Sequence, residues 1–236
     1  DPVDKNSIFE ESISTLLHNL DPHSNYLTVE KMKEMTESID GNFGGVGLRF
    51  FILRDTICIS QIIPKTPSMR VGLKAGDKII KINGELVAGN DISNEKVMSL
   101  LKGKKQTGVK VQILRNKKSL SFNIIRGTIP IESVVSNYMI NEIGYIKINQ
   151  FTVKTADEFN SASSKLLNKG MKKMILDLRD NGGGVLRSAT QIVDQFLPPG
   201  KVIVKTKGRN VGEKVYSSSS EGSLKSIPLV ILINEN

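Results

Sequence analysis

The sequence predicts a multidomain fold that combines α+β and α/β architecture, and three stretches of different pattern indicate it. Residues 1–40 show apolar residues at helical spacing, residues 41–127 show short apolar strands punctuated by glycine, and residues 128–236 alternate strands with helices. The chain has 236 residues, which is long enough for modest domains that each bury a core. Its composition, 39% hydrophobic and 24% charged, is typical of folded proteins rather than disordered tails.

The N-terminal helical segment, residues 1–40, is predicted to contain two helices. An apolar face runs from Phe9 to Leu20, and Ser7 with Glu10 fits a capping box at its start. A second helix is predicted over residues 31–38. Because an apolar helix face must pack on something, a homodimer formed through these helices is one expectation.

The β-rich stretch and the α/β stretch are distinguished by how often helices interrupt the strands. In residues 41–127 only one helix, over residues 94–101, is predicted among the strands 48–53, 56–63, 78–82, 109–114 and 120–125. Beyond residue 128, a helix is predicted from Thr155, with Glu158 completing a capping box. The strand 229–233 is apolar on both faces, which predicts a central parallel strand.

Composition narrows the possible partners. The formal net charge is +9, from 33 Lys and Arg against 24 Asp and Glu, but the basic clusters are short and aromatic residues make up only 5% of the chain. These features indicate that the basic residues lie in solvated loops rather than on a nucleic-acid-binding surface. Attraction of these residues to an anionic membrane surface or to peptide carboxylates is the alternative. No apolar run approaches the ~20 residues that span a bilayer.

No metal or other cofactor is expected. The single cysteine, Cys58, allows no internal disulfide, and its apolar neighbours predict a buried structural thiol. The two histidines, His18 and His23, lack metal-ligand spacing, and His23 is predicted to order the turn that follows the first helix.

A first glycine-dense segment, residues 44–48, lies directly before a predicted strand. Several main-chain N–H groups can gather there around one concave turn and bind a carboxylate, while the adjoining strand edge can accept an extended peptide. An ordinary glycine-rich turn is the alternative interpretation.

A second glycine segment, residues 182–184, lies between a predicted buried strand and a helix. Main-chain N–H groups at that position can bind a phosphate or stabilise the oxyanion that forms in an acyl-transfer reaction. The phosphate interpretation lacks a Gly-Lys-Ser/Thr ending, and a tight turn without a ligand remains an alternative. For the flanking Asp177 and Arg179, a structural role is preferred over a functional one.

Residues 62–79 resemble the signature of PDZ domains, in which a proline-containing turn, a short helix and a Gly-Asp turn lead into a strand that ends Ile-Asn-Gly. The resemblance implies a PDZ-like β-sandwich or barrel domain over residues 41–127. It assigns the carboxylate-binding loop to Gly45, Val46, Gly47 and Leu48, and the pocket for the last side chain of the ligand to Val97 and Leu101.

The segment 20–27, the PDZ-like block and the Leu-Arg-Asp-Asn-Gly-Gly-Gly turn together resemble the carboxyl-terminal processing peptidases, also called tail-specific proteases. This resemblance implies serine endopeptidases of the bacterial envelope or periplasm, in which a PDZ domain engages substrates with free C-termini and a Ser-Lys dyad cleaves them. Carried over, Gly183 supplies an oxyanion-hole amide and Gly184 supports its turn. Gly182 stands where many members have proline.

The same resemblance places the nucleophile after a buried strand and an Asn-rich turn, which correspond here to residues 229–233 and 234–236. The serine and the lysine are therefore expected after Asn236, so residues 128–236 form the first part of an α/β peptidase core and the fragment alone is expected to be inactive. The alternative is a peptide-binding PDZ module or homologue without catalytic activity.

Overall fold

The computed structural model describes residues 4–21, 24–219 and 222–235, with the side chain of Ser7 left aside. Contacts divide the chain into two compact units. The middle unit is Gly41–Glu132, and the outer unit combines the described residues of 1–40 and 133–236. Among the described residues, none of the helices has the length and apolar content required to cross a bilayer.

The N-terminal segment forms two helices, α1 (Lys5–Leu20) and α2 (Val29–Asp40). Helix α1 begins after Asp4, whose carboxylate accepts a hydrogen bond from the Asn6 N–H at 3.0 Å. The predicted start at a Ser7 capping box is therefore wrong, because an acidic cap stands earlier in the chain. The prediction for His23 lies outside the described residues.

The middle unit is a set of antiparallel strands with two helices. Its principal sheet has the strand order β2-β3-β4-β6-β7, with β5 added to β4, and β1 pairs separately with β8. The elements are β1 (Asn42–Gly45), β2 (Leu48–Leu53), β3 (Thr56–Ile62), α3 (Pro67–Arg70), β4 (Lys78–Ile82), β5 (Glu85–Leu86), α4 (Asn94–Leu101), β6 (Gly108–Arg115), β7 (Lys118–Ile125) and β8 (Gly127–Pro130).

Alternating apolar residues of these strands form the core of the middle unit. Ile57, Ile79, Val111 and Ile124 are fully buried in it, and each such side chain contributes about 1.5–3 kcal/mol by leaving water. Cys58 is also buried. The predicted structural setting of this thiol is confirmed.

The rest of the outer unit is α/β. It contains β9 (Val134–Ile140), β10 (Ile143–Ile148), α5 (Thr155–Asn168), β11 (Lys173–Asp177), α6 (Leu186–Asp194), β12 (Val202–Thr206), β13 (Lys214–Ser217) and β14 (Leu229–Leu232). One sheet has the order β14-β11-β10-β9, in which β10, β11 and β14 are mutually parallel and β9 is antiparallel to β10. Strands β12 and β13 pair with each other.

Strand β14 is parallel to β11, as predicted, and among the described residues it stands at the edge of the sheet. Within the described ranges it pairs with β11 alone, and Val230 and Ile231 are about half exposed. The apolar pattern identified a strand without identifying how many neighbours it has. The second predicted capping box is also wrong, because the Glu158 carboxylate accepts from the N–H groups of Ser133 and Val134 at 2.7 and 3.0 Å.

Candidate functional site

A cavity of about 520 Å³ opens in the middle unit between strand β2 and helix α4. We call it the groove. Most of its wall is apolar. The lining residues are Phe43, Gly45, Val46, Gly47, Leu48, Arg49, Phe50, Asn94, Met98, Leu101 and Lys102.

The glycine loop, residues 44–48, is held by its carbonyl groups. The Val46 carbonyl accepts from Ser68 N–H at 2.8 Å, and the Gly47 carbonyl accepts from Ile63 N–H at 3.1 Å. Within the described ranges, the N–H groups of Val46 and Gly47 donate no hydrogen bond. The loop is therefore fixed in place while these two donors stay available to an anion.

Strand β2 offers its main chain to a ligand as well. Because Ile63 N–H bonds the Gly47 carbonyl, the cross-strand pair Leu48–Ile62 is a non-hydrogen-bonded pair, and the N–H and C=O groups of Leu48 point away from β3. No other described strand pairs with β2 on that side. An extended peptide can add to this edge by β-augmentation.

Gly47 is required by the fold itself. Its φ is +84°, and a Cβ atom there would overlap the side chain of Thr66, which is buried and whose hydroxyl lies 2.6 Å from the Ile63 carbonyl. A bulkier residue at 47 would displace the loop and β3 together. Its effect on ligand binding would then not be separable from its effect on folding.

A second cavity, of about 270 Å³, lies in the outer unit beside the glycine turn, residues 182–184. The turn follows β11, whose parallel neighbours are β10 and β14, so it stands at the carboxyl edge of the sheet where α/β proteins place their ligands. The cavity is lined by Ser38, Ile39, Asn149, Gln150, Phe151, Gly182, Gly183 and Gly184.

The three glycines of this turn differ in what their N–H groups do. Gly183 N–H donates to Asn181 Oδ1 at 2.8 Å, whereas those of Gly182 and Gly184 donate no hydrogen bond within the described ranges. Gly184 has φ +134°, and a Cβ atom there would overlap the Phe151 carbonyl, which accepts from Val185 N–H at 2.8 Å. In this arrangement Gly183 is not the available donor that the sequence led us to expect.

Side-chain amides connect the turn to both neighbouring strands. Asn181 Nδ2 donates to the Ile148 carbonyl at the end of β10, at 2.9 Å. Asp180 N–H donates to Asn234 Oδ1 at 2.9 Å, and Asn234 Nδ2 donates back to Asp180 Oδ1 at 2.8 Å. The turn is thus held from β10 on one side and from the segment after β14 on the other.

Asp177, just before the turn, is a fully buried carboxylate with strong partners. Arg179 donates to it from Nη2 at 2.7 Å and from its main-chain N–H at 2.9 Å, and the Tyr145 hydroxyl lies 2.6 Å away. The hydrogen bonds from Arg179 hold the pKa of Asp177 well below its usual range, although burial opposes them. The hydrogen bond to Asp177 and burial raise the pKa of Tyr145. This geometry supports the structural interpretation of Asp177 and Arg179.

Comparison with known proteins identifies both units. Residues 44–125 match the model of the PDZ domain, and residues 142–236 match the model of peptidase family S41. The carboxy-terminal processing protease CtpA of Bacillus subtilis (strain 168) is 35% identical over 235 residues, which are 99% of this chain and 50% of that protein. Over nearly its whole length the chain is similar to carboxy-terminal processing proteases. The carboxy-terminal-processing protease of Bartonella bacilliformis is 35% identical over 239 residues, covering 98% of this chain and 54% of that protein.

A second protease of Bacillus subtilis (strain 168), the carboxy-terminal processing protease CtpB, is 34% identical over 223 residues, which cover 92% of this chain and 46% of that protein. The chain therefore spans about half the length of the curated relatives it matches. Fold class and family agree with what the sequence predicted.

The groove of the PDZ domain brings together all but one of the residues that the sequence singled out for it. Gly45, Val46, Gly47, Leu48 and Leu101 line it, whereas Val97 is fully buried in the core and does not. Asn94 and Met98 take its place, because positions 94, 98 and 101 share one face of α4 and position 97 turns toward the sheet. That spacing was readable in the sequence and would have pointed to Met98.

No metal site stands out in either unit. Across the described ranges, no group of three or more His, Cys, Asp or Glu side chains is gathered as metal ligands are. A cationic residue, Lys102, borders the groove. The Lys102 Nζ lies 4.7 Å from the centroid of the Phe43 ring, a cation–π contact that holds the charge near the glycine loop.

Proposed function

We propose that the parent protein of this chain is a serine-type endopeptidase of the carboxyl-terminal processing class, and that its PDZ domain captures the free C-termini of protein or peptide substrates. The observation that carries the binding step is the glycine loop, where the N–H groups of Val46 and Gly47 have no hydrogen-bond acceptor among the described residues and stand beside an apolar groove and an open strand edge. A terminal carboxylate supplies the missing acceptor, and an apolar last residue fills the groove.

The binding step is tested with this chain and peptides that differ only at the C-terminus. A fluorescein-labelled peptide ending in valine is titrated as the free acid and as the amide. The free acid should bind at least tenfold more tightly, because amidation removes a charge-assisted hydrogen-bond acceptor worth about 1.5–3 kcal/mol. Equal affinities of the two peptides would remove the carboxylate-binding role of the glycine loop.

The proposed chemistry is acyl transfer at the glycine turn of the outer unit. A serine hydroxyl attacks the substrate carbonyl and passes its proton to a lysine that burial keeps neutral, and the lysine returns the proton to the leaving amine. The N–H groups of Gly182 and Gly184 have no acceptor among the described residues, so we assign the oxyanion to them rather than to Gly183. The serine and lysine are proposed to lie in sequence that follows Asn236, in the half of the relatives' length that this chain does not span.

Catalysis is tested on the parent protein by mass spectrometry of a peptide that binds the PDZ domain. The peptide should be cut, and replacing the serine that follows the Asn234 turn with alanine should abolish cutting while leaving peptide affinity unchanged. A parent protein that binds such peptides and cuts none of them would favour the second candidate, a peptide-binding module without catalysis. The hydrogen bond that occupies the Gly183 N–H is the observation on the side of that alternative.

Location and assembly follow as further parts of the proposal. We place the parent protein in the bacterial cell envelope or periplasm on the family resemblance, and its positive charge supports peripheral association with an anionic membrane. A homodimer through α1 and α2 is supported by Phe9, Leu20 and Met32, which are all more than half exposed. No cofactor or nucleic-acid partner enters the proposal.

A further inference from the structure

The positive charge of the chain belongs to the PDZ unit. Residues 41–132 contain 16 Lys and Arg against 6 Asp and Glu, a net charge of +10, whereas the remaining residues contain 17 against 18, a net charge of −1. Positive charge is therefore concentrated in the unit that carries the groove. A ligand with acidic side chains is attracted to this unit, and a basic ligand is repelled.

The register of β2 decides which ligand side chain meets which residue of the chain. A peptide that places its carboxylate at the N–H groups of Val46 and Gly47 and pairs antiparallel with β2 sets its last residue opposite Leu48 and its penultimate residue opposite Arg49. Side chains that are directly opposite each other on antiparallel strands lie on the same face of the sheet, with Cβ atoms about 5 Å apart. The penultimate side chain therefore lies beside Arg49.

Arg49 is able to accept such a partner. Exposure alternates along β2, so that Leu48 and Phe50 are half-buried while Arg49 is exposed, which puts its side chain on the face away from the apolar groove. Its present partner is Glu132, with Nη2 to Oε2 at 3.6 Å, and both side chains are more than 60% exposed. Such a long and exposed ion pair contributes about 0–1 kcal/mol, so a ligand carboxylate can replace it.

We propose that Arg49 makes the PDZ domain selective for substrates with an acidic penultimate residue. The selectivity is a side-chain contact on the exposed face of β2, separate from the carboxylate loop and from the apolar groove that receives the last residue. This inference rests on the proposed peptide binding at the groove. It adds a substrate class to it, namely polypeptides that end in an acidic residue followed by an apolar one.

The test uses this chain and three acetylated peptides, Ac-Ala-Ala-Ala-Xaa-Val with a free carboxyl end and Xaa as Glu, Gln or Lys. Isothermal titration at low salt should rank them Glu, Gln, Lys, with about threefold between successive peptides, as expected for one exposed ion pair. The ranking should shrink at high salt because the interacting charges are exposed. Equal affinities of the Glu and Lys peptides at low salt would overturn the proposal.

Variants separate a local contact from the general charge of the unit. R49Q should remove most of the Glu preference, R49E should make the Lys peptide the better ligand, and E132Q should increase the Glu preference by freeing Arg49 from its competitor. The matched control is R54Q, which makes the same charge change in the turn after β2, about 16 Å along the strand from Arg49. If R49Q and R54Q reduce the preference equally, the Arg49 contact is refuted.

The outcome also distinguishes this inference from the proposed function. Binding that depends on the free carboxyl end but ignores Xaa would leave the glycine loop in place and reject the role of Arg49. Binding of the Glu peptide that survives amidation of its C-terminus would reject both, because the register that brings the penultimate residue to Arg49 starts from the carboxylate.

Discussion

The glycine loop of the PDZ unit and the glycine turn of the peptidase unit use the same residue type for different arrangements of main-chain donors. In the loop, carbonyl groups make the structural hydrogen bonds, so the N–H groups of Val46 and Gly47 are left for a ligand. In the turn, a side chain already holds the middle N–H, that of Gly183, and the outer two have no acceptor among the described residues. A glycine run thus shows where donors can gather, while the hydrogen bonds around it decide which donors are available.

The largest expected effect breaks the glycine turn by steric overlap. Gly184→Ala should lower the free energy of unfolding of the outer unit by about 3 kcal/mol, since the new Cβ atom meets the Phe151 carbonyl at a φ that only glycine adopts easily. The measurement is urea unfolding followed by tyrosine fluorescence, because the chain has no tryptophan and its four tyrosines all lie outside residues 41–132.

The matched control is Gly182→Ala in the same turn. A Cβ atom added to Gly182 would meet no described atom within 4 Å, and the residue has no positive φ, so its substitution should change stability by less than about 0.5 kcal/mol. If the two variants are equally stable, Phe151 does not restrict the turn and the contrast between its glycines is lost.

The next effect concerns the buried carboxylate that precedes the turn. The pKa of Asp177 lies below 3.8 in the folded chain, so the native state binds fewer protons than the unfolded state. The stability that this group contributes is therefore present above about pH 3.8 and is lost as the pH falls further. Asp177→Asn should cost about 2 kcal/mol at pH 6 and should flatten the decline in stability below pH 4.

Urea titrations at pH 6 and pH 3, with the same tyrosine signal, measure this contribution. Glu142→Gln is the control, because Glu142 and its partner Lys172 are both more than 60% exposed and their ion pair adds little. Parallel pH profiles for Asp177→Asn and the unmodified chain would show that the Asp177 pair does not stabilise the folded state through its charge.

The smallest pair of effects sharpens the description of the groove. Val97→Ala should lower the stability of the PDZ unit by about 2 kcal/mol, because it leaves a cavity in the core of that unit, with little change in peptide affinity. Met98→Ala should leave stability within about 1 kcal/mol and weaken binding of a valine-terminated peptide several-fold, since Met98 lines the groove. Thermal unfolding measures the stability and isothermal titration measures the peptide affinity. If Met98→Ala lowered stability and Val97→Ala weakened binding instead, Met98 would be the core residue and Val97 the groove residue.

The sequence pattern predicted helices and strands well where several local signals in the same segment agree. Helix α4 and strands β2 and β4 have the predicted bounds, since their apolar periodicity, capping and glycine ends agree. The PDZ-like block and the glycine loop were also readable, because glycine adopts positive φ without strain and is favoured where a turn needs it, as at Gly47.

What the sequence could not supply were hydrogen bonds between distant residues. Glu158 has the spacing of a capping residue, yet its carboxylate bonds the N–H groups of Ser133 and Val134, which are more than twenty positions away. This outcome depends on which neighbour the tertiary structure brings closest. By contrast, the hydrogen bond from Gly183 N–H to Asn181 Oδ1 spans only two positions, and the helical spacing of α4 pointed to Met98, so both were readable from the local sequence.

The pair of hydrogen bonds between Asn234 and Asp180 joins positions 54 residues apart. These bonds couple the position of the chain just after β14 to the position of the glycine turn. A displacement of the segment that follows β14 therefore shifts Asp180, and with it the N–H groups of the glycine turn that border the second cavity.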